Sequence, residues 1–195
     1  ALTPRTICEV GCGAGEVLKQ LQERLEPDCD FWGYDISPQA IELAAGRAND
    51  RLHFKVGDIL REPDVRFDLI LVLDVLEHLE GYFAFLRGLQ PRSAYKIFHI
   101  PLDISVQTVL RPRALLKVRE TYGHIHYFTQ ETALQTLRDA GYVVLDSFYT
   151  ARALELPTTE LPRRVLRLPR RLLFALHEDS AARILGGFSI LALAQ

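Results

Sequence analysis

A doubly wound α/β fold on a mostly parallel seven-stranded sheet is what this sequence predicts, and three observations carry it. An apolar run over residues 7–10 empties into the alternating glycines Gly11, Gly13 and Gly15 and then into a helical pattern. A second run, Phe31-Trp32-Gly33-Tyr34, ends in Asp35, twenty residues beyond Gly15. Apolar runs and helical periodicities then alternate to the end of the chain, as crossover helices between parallel strands require. With 195 residues, 48% hydrophobic and 25% charged, the chain has ordinary globular composition and length enough for one core, so a single domain over residues 1–195 is expected.

The first strand and its turn define a ligand crevice. Glycine has no Cβ, so a glycine turn lets a ligand lie against the main chain. A helix starting near Ala14 directs free N–H groups into the same crevice. Dinucleotide-binding turns read G-x-G-x-x-G and seat a pyrophosphate on the helix N-terminus. Here the third position is Glu16. A carboxylate there repels a pyrophosphate, which disfavours a nicotinamide-dependent oxidoreductase, whereas a ligand with a cationic tail and no phosphates tolerates it. Glu9, just before the turn, points the same way.

The second strand ends in Asp35, whose two acceptor oxygens suit two vicinal ribose hydroxyls. Ser37-Pro38 then supplies an N-cap and a proline at N1, and Ile41, Ala44, Ala45 and Ala48 recur at helical spacing. Residues 52–56 form a third strand ending at Gly57-Asp58-Ile59. A fourth, residues 67–73, runs into Asp74-Val75-Leu76-Glu77-His78-Leu79. A helix is expected over residues 77–89, with Leu79, Tyr82, Phe83, Leu86 and Leu89 on one face, followed by a fifth strand over 94–100. Thr129 caps a helix that turns Leu134 and Leu137 inward and stops at Gly141. Residues 142–150 and 187–194 complete seven strands.

The string Glu9-Val10-Gly11-Cys12-Gly13-Ala14-Gly15 resembles motif I of the class I S-adenosylmethionine-dependent methyltransferases. Residues 74–79 are similar to that family's D-V-L-E-H-L segment, and residues 124–129 to its H-x-x-x-F-[ST] segment. The resemblance implies a Rossmann-like sheet of strand order 3-2-1-4-5-7-6 with strand 7 antiparallel. It implies S-adenosylmethionine as cofactor, S-adenosylhomocysteine as product, and in-line methyl transfer to a small-molecule acceptor. Cofactor contacts are then expected from Glu9, Gly11, Gly13, Gly15, Asp35, Ile36, Asp58, Ile59 and Leu73, with Asp58 meeting the adenine amino group.

A general base is needed where the acceptor holds its proton at neutral pH, and histidine, with an unperturbed pKa near 6.5, suits the role. His78, His124 and His126 are the catalytic candidates. Plainer roles compete: His78 orienting Glu77, His124 and His126 bonding lid backbone, Glu77 a surface acid favoured at a helix start. Asp74, Glu77, His78 and His126 also form a mixed oxygen and nitrogen set that suits Mg²⁺, Mn²⁺ or Zn²⁺. Some ubiquinone-pathway and small-RNA 2′-O-methyltransferases carry a similar acid-x-x-Glu-His cluster. This chain departs from them with Asp in first position, and D-V-L-E-H-L also occurs in metal-free relatives, so no metal is the expectation. A divalent-metal-assisted O-methyltransferase acting on a lipophilic or RNA acceptor stays as an alternative.

Two segments exceed what the sheet needs. Residues 101–128 are too long for a turn and leave a strand's carboxyl end, so they are expected to form a lid. Residues 151–186 form a basic insertion: seven arginines stand against four acidic residues over 151–195, in a chain of net charge −2. Its arginines suit RNA phosphate or an anionic membrane surface. Its interspersed leucines favour instead a helix pair packed on the sheet.

DNA is disfavoured, since neither an [N/D]-P-P-[Y/F] motif after strand four nor a Pro-Cys nucleophile is present. Cys8, Cys12 and Cys29 are odd in number and not at zinc spacing, which fits reduced thiols in a cytoplasm. No run reaches the roughly 18 apolar residues of a membrane span. The absence of methionine, even at position 1, fits a shortened N-terminus. A non-catalytic S-adenosylmethionine-binding module in a larger assembly is the competing function. Acceptor and oligomeric state are not legible.

Overall fold

Alternation of side chains along each strand sorts the core into two layers. In the computed structural model, which describes residues 2–25, 28–151 and 167–195, the strands are β1 (Thr6–Val10), β2 (Asp30–Asp35), β3 (Leu52–Val56), β4 (Phe67–Leu73), β5 (Ser93–Leu102), β6 (Val144–Thr150) and β7 (Phe188–Ala194). They form one sheet of order β3-β2-β1-β4-β5-β7-β6. The first five are mutually parallel, and β7 runs antiparallel to both β5 and β6. Parallel strands buried on both faces read as continuous apolar runs, as residues 69–73 do.

Cys8, Ile70, Val72, Phe98 and Ile100 point to one face, where Leu86 and Leu89 of α3 (Tyr82–Leu89) and Leu137 of α6 (Gln130–Asp139) pack. Ile7, Phe31, Leu69 and Leu71 point to the other, against Leu18 of α1 (Glu16–Gln22) and Ile41 of α2 (Pro38–Ala45). The Ser37 hydroxyl caps α2 by accepting from the Ala40 N–H, and Thr129 opens α6 through a capping box with Thr132. Among the described residues no helix is long and apolar enough to cross a membrane. The three cysteines are free and buried.

The helix expected over residues 77–89 is divided. A 3₁₀ turn covers Leu76–His78, and α3 begins only at Tyr82. The Glu77 carbonyl, which a helix would pair with residue 81, accepts instead from the N–H groups of Ile125 and His126 at 2.8 and 3.2 Å. This tertiary pairing displaces the helical one and carries Glu77 into the interior. The surface position expected for that acid is therefore corrected.

Residues 103–128 hold α4 (Val106–Val109), α5 (Ala114–Tyr122) and the extended stretch that meets Glu77. In the basic segment, residues 152–166, with Arg163 and Arg164, lie outside the described residues. Beyond them, α7 (Arg167–Leu176) and α8 (Glu178–Leu185) pack Phe174, Ala181 and Ala182 against Phe188 of β7, with the Phe174 and Phe188 rings stacked at 4.9 Å.

Candidate active site

The crevice at the carboxyl ends of β1, β2 and β4 is built by backbone first. Gly11 and Cys12 both donate to the Tyr34 carbonyl, at 2.7 and 3.1 Å, and tie the turn to β2. Gly13 N–H donates to one oxygen of Asp35 at 2.9 Å, and Ser37 N–H to the other at 2.8 Å. Asp35 thus clamps the glycine turn, with a lone pair on each oxygen left for hydroxyl donors. Gly15 has φ +76°, and a Cβ there would lie 2.3 Å from the Phe54 ring. Gly13 has φ +54°, and a Cβ there would meet nothing within 4 Å, so open space lies beside the turn.

Glu9 is the electrostatic anomaly. It is 3% exposed at the end of β1, and its Oε2 has no hydrogen-bond partner. Burial, reinforced by the Asp35 charge, pushes its carboxyl from the ordinary 4.5 up to about 8. A buried carboxyl with an unsatisfied oxygen beside a ligand turn is complementary to a cationic donor. Glu16 is not directed into the crevice: it bonds Arg47 of the 38–47 segment at 3.0 Å and Gln20 at 3.0 Å, and these contacts lower its pKa.

The other cofactor candidates divide. Ile36, directly after Asp35, is 76% exposed, an apolar face left open at the strand end. The Asp58 carboxylate caps the 3₁₀ turn Ile59–Arg61 through Leu60 N–H at 2.9 Å. The Ile59 side chain is fully buried in the core, which leaves its main chain as the part that a ligand could meet. Leu73 is half-buried against the α1–α2 layer.

Past β4, the three candidate histidines do not act as one group. Glu77 Oε1 lies 3.9 Å from His78 Nε2 and 4.0 Å from His124 Nε2, and the two imidazoles meet edge to face at 5.1 Å. His78 Nδ1 donates to the Gly123 carbonyl at 3.2 Å, since a carbonyl only accepts. His124 Nδ1 pairs with Asp103 Oδ2 at 2.7 Å. In the neutral form each ring that donates from Nδ1 keeps its lone pair on Nε2, the atom nearer Glu77.

His126 is held elsewhere: its Nε2 donates to the Leu79 carbonyl at 2.9 Å, and its ring packs on Tyr82. Asp74, at φ +53°, bonds His99 Nδ1 at 2.6 Å, and His99 Nε2 reaches Thr150 Oγ1 at 2.8 Å. Among the described residues, the His, Cys, Asp and Glu ligand atoms gathered within 4.8 Å are those of Glu77, His78 and His124. Asp74 and His126, expected in that cluster, are not in it. His99, Asp103 and Thr150 escaped sequence reading. Pairing of Leu73 with His99 in the sheet could have flagged His99, whereas Asp103 has no local signal.

A sheet of this order, with a glycine turn clamped by a strand-end acid, defines a nucleoside-binding doubly wound domain. Residues 8–93, spanning β1 to the start of β5, match the family model of the methyltransferase domain. Over 91 residues the chain is 34% identical to ajmaline N-methyltransferase of Rauvolfia serpentina, covering 43% of this chain and 31% of that protein. It is also 34% identical over 83 residues to a probable chloroplastic tocopherol O-methyltransferase of Oryza sativa subsp. japonica, covering 39% of this chain and 22% of that one. Each of these matches spans under a third of the relative's length. The solved N-methyltransferase NodS of Bradyrhizobium japonicum, in complex with S-adenosyl-L-homocysteine, superposes with TM-score 0.61 at 18% identity, over 98% of this chain and 78% of that one. Over residues 8–93 the chain is thus similar to methyltransferase domains, and it shares its fold with solved methyltransferases.

Proposed function

We propose that this chain binds S-adenosylmethionine and transfers its methyl group to a small-molecule acceptor. The observation that carries the reading is Glu9, a buried carboxyl with an unsatisfied oxygen beside a clamped glycine turn. That arrangement suits the ammonium of the methionine moiety, while Asp35 suits the ribose hydroxyls and the exposed Ile36 an adenine face. When bound, the cofactor supplies a methyl group activated by its sulfonium. Class I neighbours include both N- and O-methyltransferases, so the acceptor atom stays open.

The chain's own contribution is positioning and proton handling. His78 is the more open member of its cluster, and its Nε2 lone pair is fixed by the Gly123 carbonyl. It accepts the acceptor's proton at Nε2, and the Glu77 carboxylate stabilises the imidazolium so formed. Asp103 holds the His124 tautomer behind it, as the orienting member of a base pair does.

Isothermal titration with S-adenosylhomocysteine, followed by transfer of labelled methyl from S-adenosylmethionine into a fractionated cell extract, tests the reading. Saturable binding with label in one chemical pool supports it. Binding without any transfer favours the non-catalytic module, and no binding overturns both.

The convergence of two Nε2 atoms on the Glu77 carboxylate supports a second reading. Glu77, His78 and His124 would then hold a divalent cation, with Asp103 and Gly123 fixing both ring orientations as outer partners. Metal analysis of protein purified without added ions, and Zn²⁺ or Mn²⁺ titration of His124→Ala against the unmodified chain, decides between the readings. Equal, negligible binding by both chains removes the cation.

A further inference from the structure

An open cavity of about 450 Å³ is lined by the residues on either side of Asp103, Leu102 and Ile104. Its described walls include Leu102 at the end of β5, Ile104, Val106 and Val109 of α4, Leu110 directly after it, and Ala182 of α8. The size falls within the range of small-molecule sites, and a mainly apolar lining with a few polar groups at one edge is their usual chemistry.

Val106 and Val109 of α4 and the capping Leu110 are 51%, 64% and 76% exposed, at a helix of four residues that cannot be stable alone. It is nevertheless held firmly. Ser105 and Thr108 close a reciprocal capping box, and Thr108 Oγ1 donates to the Asp103 carbonyl at 2.8 Å. Gln107 is bonded by Arg170 of α7 at 3.1 Å. This braced apolar surface is left exposed among the described residues.

The polar edge is already satisfied. Arg183 is neutralised by Asp179 at 2.7 Å and by Glu131, and the Tyr149 hydroxyl bonds Gln130 and Asp179. No unpaired charge among these groups is offered to an occupant, so the cavity suits an uncharged one. Its position ties it to the proton-handling cluster: Asp103, which orients His124, is followed directly by Ile104 of the cavity wall, and Ile104 N–H donates to the Phe128 carbonyl at 3.1 Å.

We propose that this cavity receives the apolar body of the methyl acceptor, which makes the substrate class an uncharged lipophilic molecule. The assignment rests on the methyltransferase reading above. The occupant enters between α4 and α8 and leaves its reactive atom on the Asp103 side.

The test titrates the full chain with N-phenyl-1-naphthylamine, a neutral apolar fluorophore. Saturable enhancement is expected, weakened at least tenfold in Val109→Asp. That side chain is already largely in water, so the fold should be kept, as circular dichroism would verify. Leu116→Asp, an exposed leucine of α5 outside the cavity, should bind the probe as the unmodified chain does. In the labelled-methyl assay, label should enter the organic-soluble pool, with Val109→Asp at least tenfold slower and S-adenosylhomocysteine affinity unchanged. Equal probe binding in Val109→Asp, equal loss in Leu116→Asp, or label confined to the aqueous pool would overturn the proposal. S-adenosylhomocysteine binding without probe binding removes the cavity assignment alone, whereas failure to bind S-adenosylhomocysteine removes the methyltransferase reading and the acceptor role with it.

Discussion

The two halves of the sheet build their sites in opposite ways. Around β1 and β2 the crevice is made by main chain and strand ends: Tyr34 receives Gly11 and Cys12, and Asp35 receives Gly13 and Ser37. Beyond β4 the site is made by side chains from separate segments, Glu77 with His78 and His124, Asp103 with His124, and Asp74 with His99 and Thr150. The comparison teaches that a site built from backbone geometry is written as a contiguous motif, because strand, turn and helix must follow one another. A site built from side-chain convergence leaves only scattered residues.

The largest expected effect breaks the first half. Gly15→Ala adds a Cβ that meets the Phe54 ring at a left-handed backbone position, and should cost about 4 kcal/mol in a urea unfolding titration. Gly13→Ala shares the strained φ but meets no atom, so it should cost only about 1 kcal/mol while weakening S-adenosylhomocysteine binding tenfold or more. Equal stability losses would dissolve the distinction between a packed and a ligand-facing glycine.

Glu9 comes next. Its carboxyl is raised from 4.5 to about 8 in the fold, so the folded chain holds that proton more tightly than the unfolded chain does. Its contribution to stability is therefore full below about pH 4.5 and is lost as pH rises through 8. The unliganded chain should be less stable at pH 8.5 than at pH 5 by an amount of order 3 kcal/mol, and Glu9→Gln should flatten that dependence. A slope that survives Glu9→Gln would locate the titrating group elsewhere.

Asp35→Ala removes the acceptor of two backbone N–H bonds and the proposed ribose contacts, and should weaken S-adenosylhomocysteine by about 1.5 to 3 kcal/mol in calorimetry. Unchanged affinity would separate the clamp from the ligand. The smallest effect sharpens the second half. Asp103→Asn should lower methyl transfer about tenfold, or about 1.4 kcal/mol, and leave cofactor affinity unchanged. A loss in cofactor affinity instead would tie the two halves together.

Legibility follows the same division. Motif I, Asp35, the Ser37 and Thr129 caps and the seven strands were readable because each depends on neighbours in sequence. The continuous helix over residues 77–89 was misread because nothing local announces that residues 125 and 126 take the Glu77 carbonyl. The burial of the Ile59 side chain in the core is likewise a tertiary outcome that its motif does not announce. His126 and His124 stand two residues apart in one short segment, yet their partners differ: His126 bonds the Leu79 carbonyl and packs on Tyr82, whereas His124 pairs with Asp103. Only His124 reaches Glu77.

By itself the sequence determined the doubly wound topology, the glycine turn and the strand-end acid, since local propensity, turn chemistry and apolar alternation all act within a few residues. Tertiary structure alone decided the burial of Glu9 and Glu77, the partners of each histidine, and the bracing of α4 over an open apolar cavity. Those depend on which segments pack together, and the desolvation and convergence that give the groups their chemistry arise only once they do.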